Sequence, residues 1–232
     1  MREQYKIYDE ELLKIGFLSR HPECLPFIGE KYSDSRLLLI GESHYVPERD
    51  IDLVNREDFY DCRFEDLDPG DYKTWIDTRA VFEYRVYDRG DFKNFFSNPA
   101  TEIARAVNHT DNLSKDQRVD AMHQYAFFNY FKRPSYDEGK TIAGLSETDY
   151  RYAYEVSCDI IKVLEPRMIV FLSRKAYDAF YEADRDNGFG SHYNIRSVSH
   201  PSSAWWNRKR NDGGCSREEF YEYVKDIFDN RE

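Results

Sequence analysis

The sequence predicts an α/β protein of three layers, α/β/α, in which helices cover both sides of a central, mainly parallel four-stranded sheet. Short apolar runs alternate with helical patterns along most of the 232 residues, and this alternation is typical of parallel sheets. Continuous runs such as Leu37–Ile40 are expected of strands buried on both faces. The predicted strands cover residues 36–40, 125–131, 168–172 and 194–198.

Helical periodicity predicts most of the elements that flank these strands. Two of the helices begin with the signature of a capping box, because Gln117 follows Ser114 by three residues and Glu219 follows Ser216 by three residues. The predicted helices cover residues 3–18, 98–108, 115–123, 147–164, 173–183 and 216–229.

The chain is predicted to be a single domain over residues 1–232, with an acidic insertion at about 46–92. Helical and strand patterns are lost in the insertion, which holds 14 acidic and seven basic residues. Short helices or loops are expected there. The net charge of −11 and the pI near 5.1 argue against a protein that coats nucleic acid through a broad basic face.

The sequence gives no signal for a membrane segment, a secretory leader or a metal site. No apolar run approaches 18 residues, and the first residues lack the apolar stretch of a signal peptide. The four cysteines are scattered and form no C-x-x-C pair. We therefore expect a cytoplasmic protein with reduced thiols, no metal and no membrane partner.

Polar residues with complementary chemistry follow three of the four predicted strands. Ligands of parallel sheets bind beyond the carboxyl ends of the strands, and this rule selects residues 41–45, 129–133, 173–174 and 199–203. Among them are a carboxylate at Glu42, an amide at Asn129 and an imidazole at His200. The sequence therefore predicts one site at this edge of the sheet.

Four motifs in these regions resemble, in the same order, those of the uracil-DNA glycosylase superfamily. They are Leu38–Tyr45, with Gly followed by an acid, the Asn-bearing Phe127–Pro134, Pro166–Ala176, and the His-Pro-Ser loop at Ser199–Ser203. The resemblance implies a uracil-DNA glycosylase-like fold. It also implies a DNA-repair hydrolase that cleaves the N-glycosidic bond of uracil or a related damaged base. The partner would be single-stranded or mismatched DNA, from which the base is flipped out.

The resemblance assigns catalysis to Glu42 and His200. Cleavage of an N-glycosidic bond passes through an oxocarbenium-like sugar, which a carboxylate stabilises while it orients water. The base leaves as an anion, which a hydrogen bond from His200 would stabilise. Asn129 would pair with the Watson–Crick edge of uracil, and Tyr45 would exclude thymine. The other substrate-binding residues implied are Gly41, Ser43, His44 and Phe128.

The resemblance places the DNA contacts in two loops. Ser202 and Ser203 would hold phosphate, and the two tryptophans that follow would wedge into the base stack beside cationic side chains. The alternative is that the tryptophans cover the last helix. The DNA-binding residues implied are Lys132, Arg133, Ser202, Ser203, Trp205, Trp206, Arg208 and Lys209.

The sequence departs from the family at three points. Counted from Gly41, one branch of the family has Asp as the third residue of the first motif, where this chain has Ser43. Members of the family usually have Pro or Gly at the next position, where this chain has His44. Another branch has Glu second, which matches Glu42, but usually binds an iron–sulfur cluster. A cluster needs four thiolates, and the required cysteines are missing, so no cofactor is expected.

Three further functions stay open. One is a catalytically inactive, glycosylase-like module that binds nucleic acid or nucleotide. The second is a hydrolase similar to erythromycin esterases, because Gly41–His44 also resembles their Gly-Glu-x-His motif. The third is a serine hydrolase that uses Ser43 with His200, although Tyr45 replaces the second Gly of a nucleophile elbow.

Overall fold

A computed structural model describes residues 2–47, 56, 58–67, 76–84, 94–136 and 142–229. Its centre is one five-stranded sheet with the strand order β1-β3-β2-β4-β5. The strands are β1 at Phe27–Ile28, β2 at Leu37–Gly41, β3 at Tyr125–Asn129, β4 at Met168–Phe171 and β5 at Ile195–Ser197. The predicted α/β class with a mainly parallel sheet is confirmed.

The central strand β2 is parallel to both of its neighbours, β3 and β4, and β5 is parallel to β4. Leu37, Leu38 and Ile40 are completely buried, as expected of a strand covered on both faces. The prediction of four strands was wrong by one. The additional strand, β1, runs antiparallel to β3 at the edge of the sheet, and its two residues are too few to form a recognisable pattern.

Nine α-helices lie within the described residues. They are α1 at Glu3–Leu12, α2 at Gly16–Arg20, α3 at Tyr32–Ser35, α4 at Thr78–Glu83, α5 at Asn94–Asn108, α6 at Lys115–Ala121, α7 at Glu147–Leu164, α8 at Arg174–Asp184 and α9 at Ser216–Asp229. The single helix predicted over residues 3–18 is two helices, and the break falls just before Gly16, the weakest helix former of that stretch.

The predicted capping boxes have different outcomes. At α6 the hydroxyl of Ser114 accepts from the Gln117 N–H, and the Gln117 side chain accepts from the Ser114 N–H, so this prediction is confirmed. At α9 the helix begins at Ser216 itself. The Ser216 hydroxyl accepts from the Ser199 N–H at 3.1 Å and donates to the Ser199 hydroxyl at 3.0 Å. The prediction of a cap at Ser216 was therefore wrong, because this hydroxyl fixes the His-Pro-Ser loop instead.

Aromatic side chains from the two faces of the sheet contact different helices. Phe127 of β3 contacts Phe82 of α4 at 4.6 Å and Phe95 of α5 at 5.7 Å between ring centroids. Phe171 of β4 contacts Phe180 of α8 at 5.4 Å. Since Phe127 lies opposite Leu39 and Phe171 lies opposite the next residue, Ile40, the two phenyl rings lie on opposite faces. Helices therefore cover both faces of the sheet.

Part of the predicted acidic insertion packs onto this core. Its described residues are 46–47, 56, 58–67 and 76–84, and the rest lies outside the described part of the chain. The carboxylate of Asp77 caps α4 by accepting from the Ala80 N–H at 2.8 Å, and Arg79 forms a bidentate ion pair with Asp9 of α1. This part of the insertion thus belongs to the domain.

A second polar anchor joins the insertion to α7. Asp149 accepts from the Tyr60 hydroxyl at 2.6 Å and from the guanidinium of Arg133, and it completes a capping box with Ser146. Burial opposes the charge of this carboxylate, but the hydrogen bonds from Tyr60, Ser146 and Arg133 outweigh burial and lower the pKa of Asp149 below its ordinary value. No helix in the described part of the chain combines the length and the apolar character that a membrane span requires.

Candidate active site

The carboxylate of Glu42 is buried just beyond the end of β2 and is fixed through both of its oxygens. Oε1 accepts from the backbone N–H of Ile142 at 2.7 Å, and Oε2 accepts from the hydroxyl of Ser173 at 2.5 Å. Ser173 is also the N-cap of α8, because its hydroxyl accepts from the Ala176 N–H. The carboxylate thus lies at the N-terminus of a helix, where negative charge is favoured.

Gly41 provides the space that the Asn129 side chain occupies. The two residues are direct partners in the parallel pair of β2 and β3. A Cβ atom on Gly41 would lie 2.3 Å from Oδ1 of Asn129 and 2.7 Å from the ring of Phe127, distances that a real Cβ does not tolerate. The absence of a side chain at Gly41 therefore allows the amide to lie across the end of β2, on the face of the sheet that carries Phe127.

His200 reaches the same region from the loop after β5. Its imidazole stacks on Phe95, with ring centroids 5.1 Å apart, and Phe95 contacts the Phe127 ring that borders Gly41. Burial lowers the pKa of His200, and the charge of Glu42 opposes this shift. The imidazole therefore lies within range of the Glu42 charge, and it is neutral at pH 7.

A hydrogen bond identifies the nitrogen of His200 that carries the proton. The backbone N–H of Ser202 donates to Nδ1 of His200 at 3.2 Å. Because Nδ1 is the acceptor, the single proton of the neutral ring resides on Nε2. Nε2–H is thus the donor that this side chain can offer to a ligand.

The loop after β2 is tied to the loop after β3 by main-chain hydrogen bonds. The N–H of Phe131 donates to the carbonyl of Glu42 at 2.9 Å, and the N–H of Ser135 donates to the carbonyl of His44 at 2.7 Å. The carbonyl of Ser135 in turn accepts from the N–H of Val46 at 2.7 Å. This ladder extends the pairing of β2 and β3 past the sheet. It fixes Glu42 relative to Asn129.

The three residues after Glu42 have different surroundings. Ser43 is buried, and its hydroxyl has no hydrogen-bond partner among the described residues. Nε2 of His44 is 3.0 Å from the hydroxyl of Thr78 in α4, so the insertion contributes to this side of the site. Tyr45 forms a parallel bridge with Ser135.

Three residues proposed from the sequence lie away from this cluster. Phe128 is completely buried and, by the alternation along β3, faces the side of the sheet opposite Asn129. Lys132 is 3% exposed; its Nζ donates to the carbonyl of Asn129 and lies 4.4 Å from the centroid of the Phe128 ring. Arg133 is ion-paired with the buried Asp149. Lys132 and Arg133 are therefore engaged inside the protein and do not extend towards a DNA phosphate.

The loop after His200 has one exposed and one buried tryptophan. Trp206 is 1% exposed and packs on Phe220 of α9, so the alternative in which it covers the last helix is correct for this residue. Trp205 is 56% exposed, and the guanidinium of Arg208 lies 4.4 Å from the centroid of its ring. The side chains of Ser202 and Lys209 are exposed, whereas the hydroxyl of Ser203 is buried without a partner in the described part of the chain.

Several residues that contribute to this site could not be predicted from the sequence. Ser173 was selected by its position at a strand end, but nothing in the sequence connected its hydroxyl to Glu42. Phe95 and Ile142 lie between strands in the sequence and carry no motif, so only the folded chain identifies them. Thr78 lies in the insertion, where no pattern was recognised.

Comparisons with known proteins add no family assignment. The chain matches no model of a known protein family, and no curated protein matches it significantly. Among the described residues, no group of three or more His, Cys, Asp and Glu side chains could hold a metal ion. What distinguishes the chain is therefore its α/β fold and the polar groups of Glu42, Asn129 and His200 at the carboxyl ends of the strands.

Proposed function

We propose that this protein is a DNA glycosylase that hydrolyses the N-glycosidic bond of uracil or a related damaged base, on a three-layer fold of the uracil-DNA glycosylase type. The observation that carries the proposal is that a fixed, buried carboxylate, an amide and a neutral imidazole come from the ends of three strands at the same edge of the sheet. These are the groups needed to stabilise a sugar cation, stabilise a departing base anion and recognise the base.

Glu42 would act on the sugar. As the bond breaks, positive charge develops at the anomeric carbon, and a carboxylate held in place stabilises it without having to reorient. Each oxygen of Glu42 accepts one hydrogen bond and keeps a lone pair for an attacking water.

His200 would act on the base. Because Nδ1 accepts from the Ser202 N–H, the neutral imidazole presents Nε2–H as a donor. A hydrogen bond to the base oxygen that gains negative charge is stronger in the transition state than in the ground state, which is the condition for catalysis.

Asn129 would recognise the base. Its amide offers a donor and an acceptor, matching the acceptor and the N–H of the uracil edge and disfavouring cytosine, whose pattern is reversed. Its Oδ1 occupies the space that Gly41 leaves open, so the amide lies at the strand end where the base would enter.

The test uses a single-stranded oligonucleotide with one uracil, followed by cleavage at the abasic sites formed. The wild type is expected to release uracil, and Glu42→Gln and His200→Ala are each expected to lower the rate at least a hundredfold, the scale of losing one preorganised group. Arg185→Gln, at the distant end of α8, is a matched control that should leave the rate unchanged. Absence of product from uracil, hypoxanthine and related damaged bases would refute the proposal.

A second candidate is a catalytically inactive, glycosylase-like module that binds a nucleotide. The observation in its favour is that Lys132 and Arg133, expected to contact DNA, are held inside an acidic protein, which fits a ligand smaller than a DNA strand. Binding of deoxyuridine monophosphate, with no abasic product from the oligonucleotide, would favour this candidate.

The two remaining alternatives gain no support. The hydroxyl of Ser43 lacks a hydrogen-bond partner among the described residues, so no base is placed to activate it as a nucleophile. Nε2 of His44 is directed at Thr78, which leaves no evident role for it with Glu42 in the activation of water.

A further inference from the structure

The region beside the candidate active site holds three arginines whose charges act on Tyr223 of α9. Burial and Glu219 raise the pKa of Tyr223 on α9, while the charges of Arg196, Arg210 and Arg174 oppose that shift. The guanidinium of Arg196 lies 5.8 Å from the centroid of the Tyr223 ring. These three residues, named here the arginine cluster, come from α8, β5 and the loop before α9.

Two members of the cluster are not neutralised. Arg210 is ion-paired with Glu219. Arg174 and Arg196 are exposed, and neither forms an ion pair with a carboxylate in the described part of the chain; Nη1 of Arg174 donates to the Ser197 hydroxyl at 2.5 Å, and that of Arg196 donates to a main-chain carbonyl. Arg174 is hydrogen-bonded to Ser197, the residue that follows Arg196 in β5. In a protein with a net charge of −11, two such guanidinium groups on neighbouring elements form a local site for an anion.

The cluster lies at the same edge of the sheet as the active site. Arg174 directly follows Ser173, whose hydroxyl holds the carboxylate of Glu42. Its partner Ser197 ends β5, three residues before His200. An extended ligand that placed one group beside Glu42 and His200 would therefore continue over Arg174 and Arg196.

We propose that Arg174 and Arg196 bind phosphodiester groups of the DNA strand whose damaged base enters the site. The inference rests on the proposed function, because DNA is the substrate it assumes. Guanidinium groups match phosphate oxygens in charge and geometry and can bind them through two hydrogen bonds. These two residues supply the backbone contacts that Lys132 and Arg133, held inside the protein, do not.

The experiment measures how salt affects the binding of a single-stranded oligonucleotide, by fluorescence anisotropy between 50 and 200 mM salt. Each phosphate contact on a single strand contributes about 0.7 to the slope of log affinity against log salt. The double variant Arg174→Gln/Arg196→Gln is expected to lose about 1.4 from this slope, so that the wild type loses about sevenfold more affinity than the variant over the fourfold range of salt. Arg185→Gln, ion-paired with Glu182 at the other end of α8, should keep the wild-type slope.

The outcomes separate this inference from the proposed function. Loss of slope in the double variant, with unchanged circular dichroism and melting temperature, supports the inference even if the wild type releases no uracil. If the wild type releases uracil but the double variant keeps the wild-type slope, the inference is overturned and the glycosylase proposal stands. A wild type that does not bind the oligonucleotide overturns the inference.

Discussion

Replacing Lys132 with Met is expected to stabilise the protein, by an amount that decreases as the pH rises. The ammonium group of Lys132 is 3% exposed and has one acceptor, the carbonyl of Asn129 at 2.8 Å. Within the described residues no carboxylate forms an ion pair with it. Burial lowers its pKa to about 7 from the ordinary 10.5, and Cys24 only partly opposes this shift. Methionine has a similar length and shape and no charge to desolvate.

The magnitude follows from the linkage between protonation and folding. Between pH 7 and 10.5 the unfolded chain holds the proton of Lys132 and the folded chain has lost it, so the contribution of this group to stability rises with pH by about 1.4 kcal/mol per unit. The charge therefore costs the wild type about 4 kcal/mol at pH 7 and about 2 kcal/mol at pH 9. The lost hydrogen bond to Asn129 offsets the gain by about 1 kcal/mol, independently of pH.

The assay is urea unfolding of the wild type and Lys132→Met at pH 7, 8 and 9. Burial raises the pKa of groups such as Tyr125, and these groups make stability fall towards alkaline pH. Because Tyr125 is unaffected by Lys132, its contribution cancels in the difference between the two proteins. Lys115→Met, at an exposed position, should show no such trend. A difference between Lys132→Met and wild type that does not change from pH 7 to 9, or a variant less stable at every pH, would refute the reasoning.

Three further predictions concern the site and its supports. Gly41→Ala should displace the Asn129 amide and lower base excision at least tenfold, because the new Cβ meets Oδ1 at 2.3 Å; unchanged kinetics would contradict the role given to this contact. Ser173→Gly should keep most of the stability of α8, since Gly is tolerated at an N-cap, but it should lower the excision rate about tenfold because Glu42 loses a hydrogen bond. Ser173→Thr keeps the hydroxyl and should retain the rate. Equal rates in the wild type and both variants would remove Ser173 from the site. Asp149→Asn should lower the free energy of unfolding, measured with urea at pH 7, by about 3 kcal/mol. Because the pKa of Asp149 is lowered in the folded protein, this loss should disappear as the pH falls through 3.8 and below. A loss that persists at pH 2 would show that the charge of Asp149 is not its cause.

The parallel strands could be predicted from sequence because burial on both faces leaves a local pattern. A run such as Leu37–Ile40 has no polar face, and the rule that ligands bind at strand ends then selects Glu42, Asn129 and His200 without knowledge of any contact. The strand β1 left no such pattern, since Phe27 and Ile28 gain their strand character only by pairing with β3.

The predicted DNA-contacting residues were less reliable because burial is decided by distant parts of the chain. Lys132 follows a strand end as a surface cation would, yet its side chain turns back under Asn129. Trp205 and Trp206 are adjacent and chemically identical, and the sequence does not show that Trp206 packs on Phe220 while Trp205 stays exposed. The unpaired guanidinium groups of Arg174 and Arg196 become visible as a cluster only when β5, α8 and α9 are brought together.

The attachments of the site divide it into two parts. Glu42 and Asn129 are joined by the ladder that continues β2 and β3 past the sheet, which includes the bonds from Phe131 and Ser135. The His200 loop is attached by side chains of two helices, since Asn98 of α5 donates to the carbonyl of Pro201 at 2.7 Å and Ser216 of α9 binds Ser199. The His200 loop therefore has fewer main-chain constraints than Glu42 and Asn129, and we expect any adjustment to a ligand to fall on this loop.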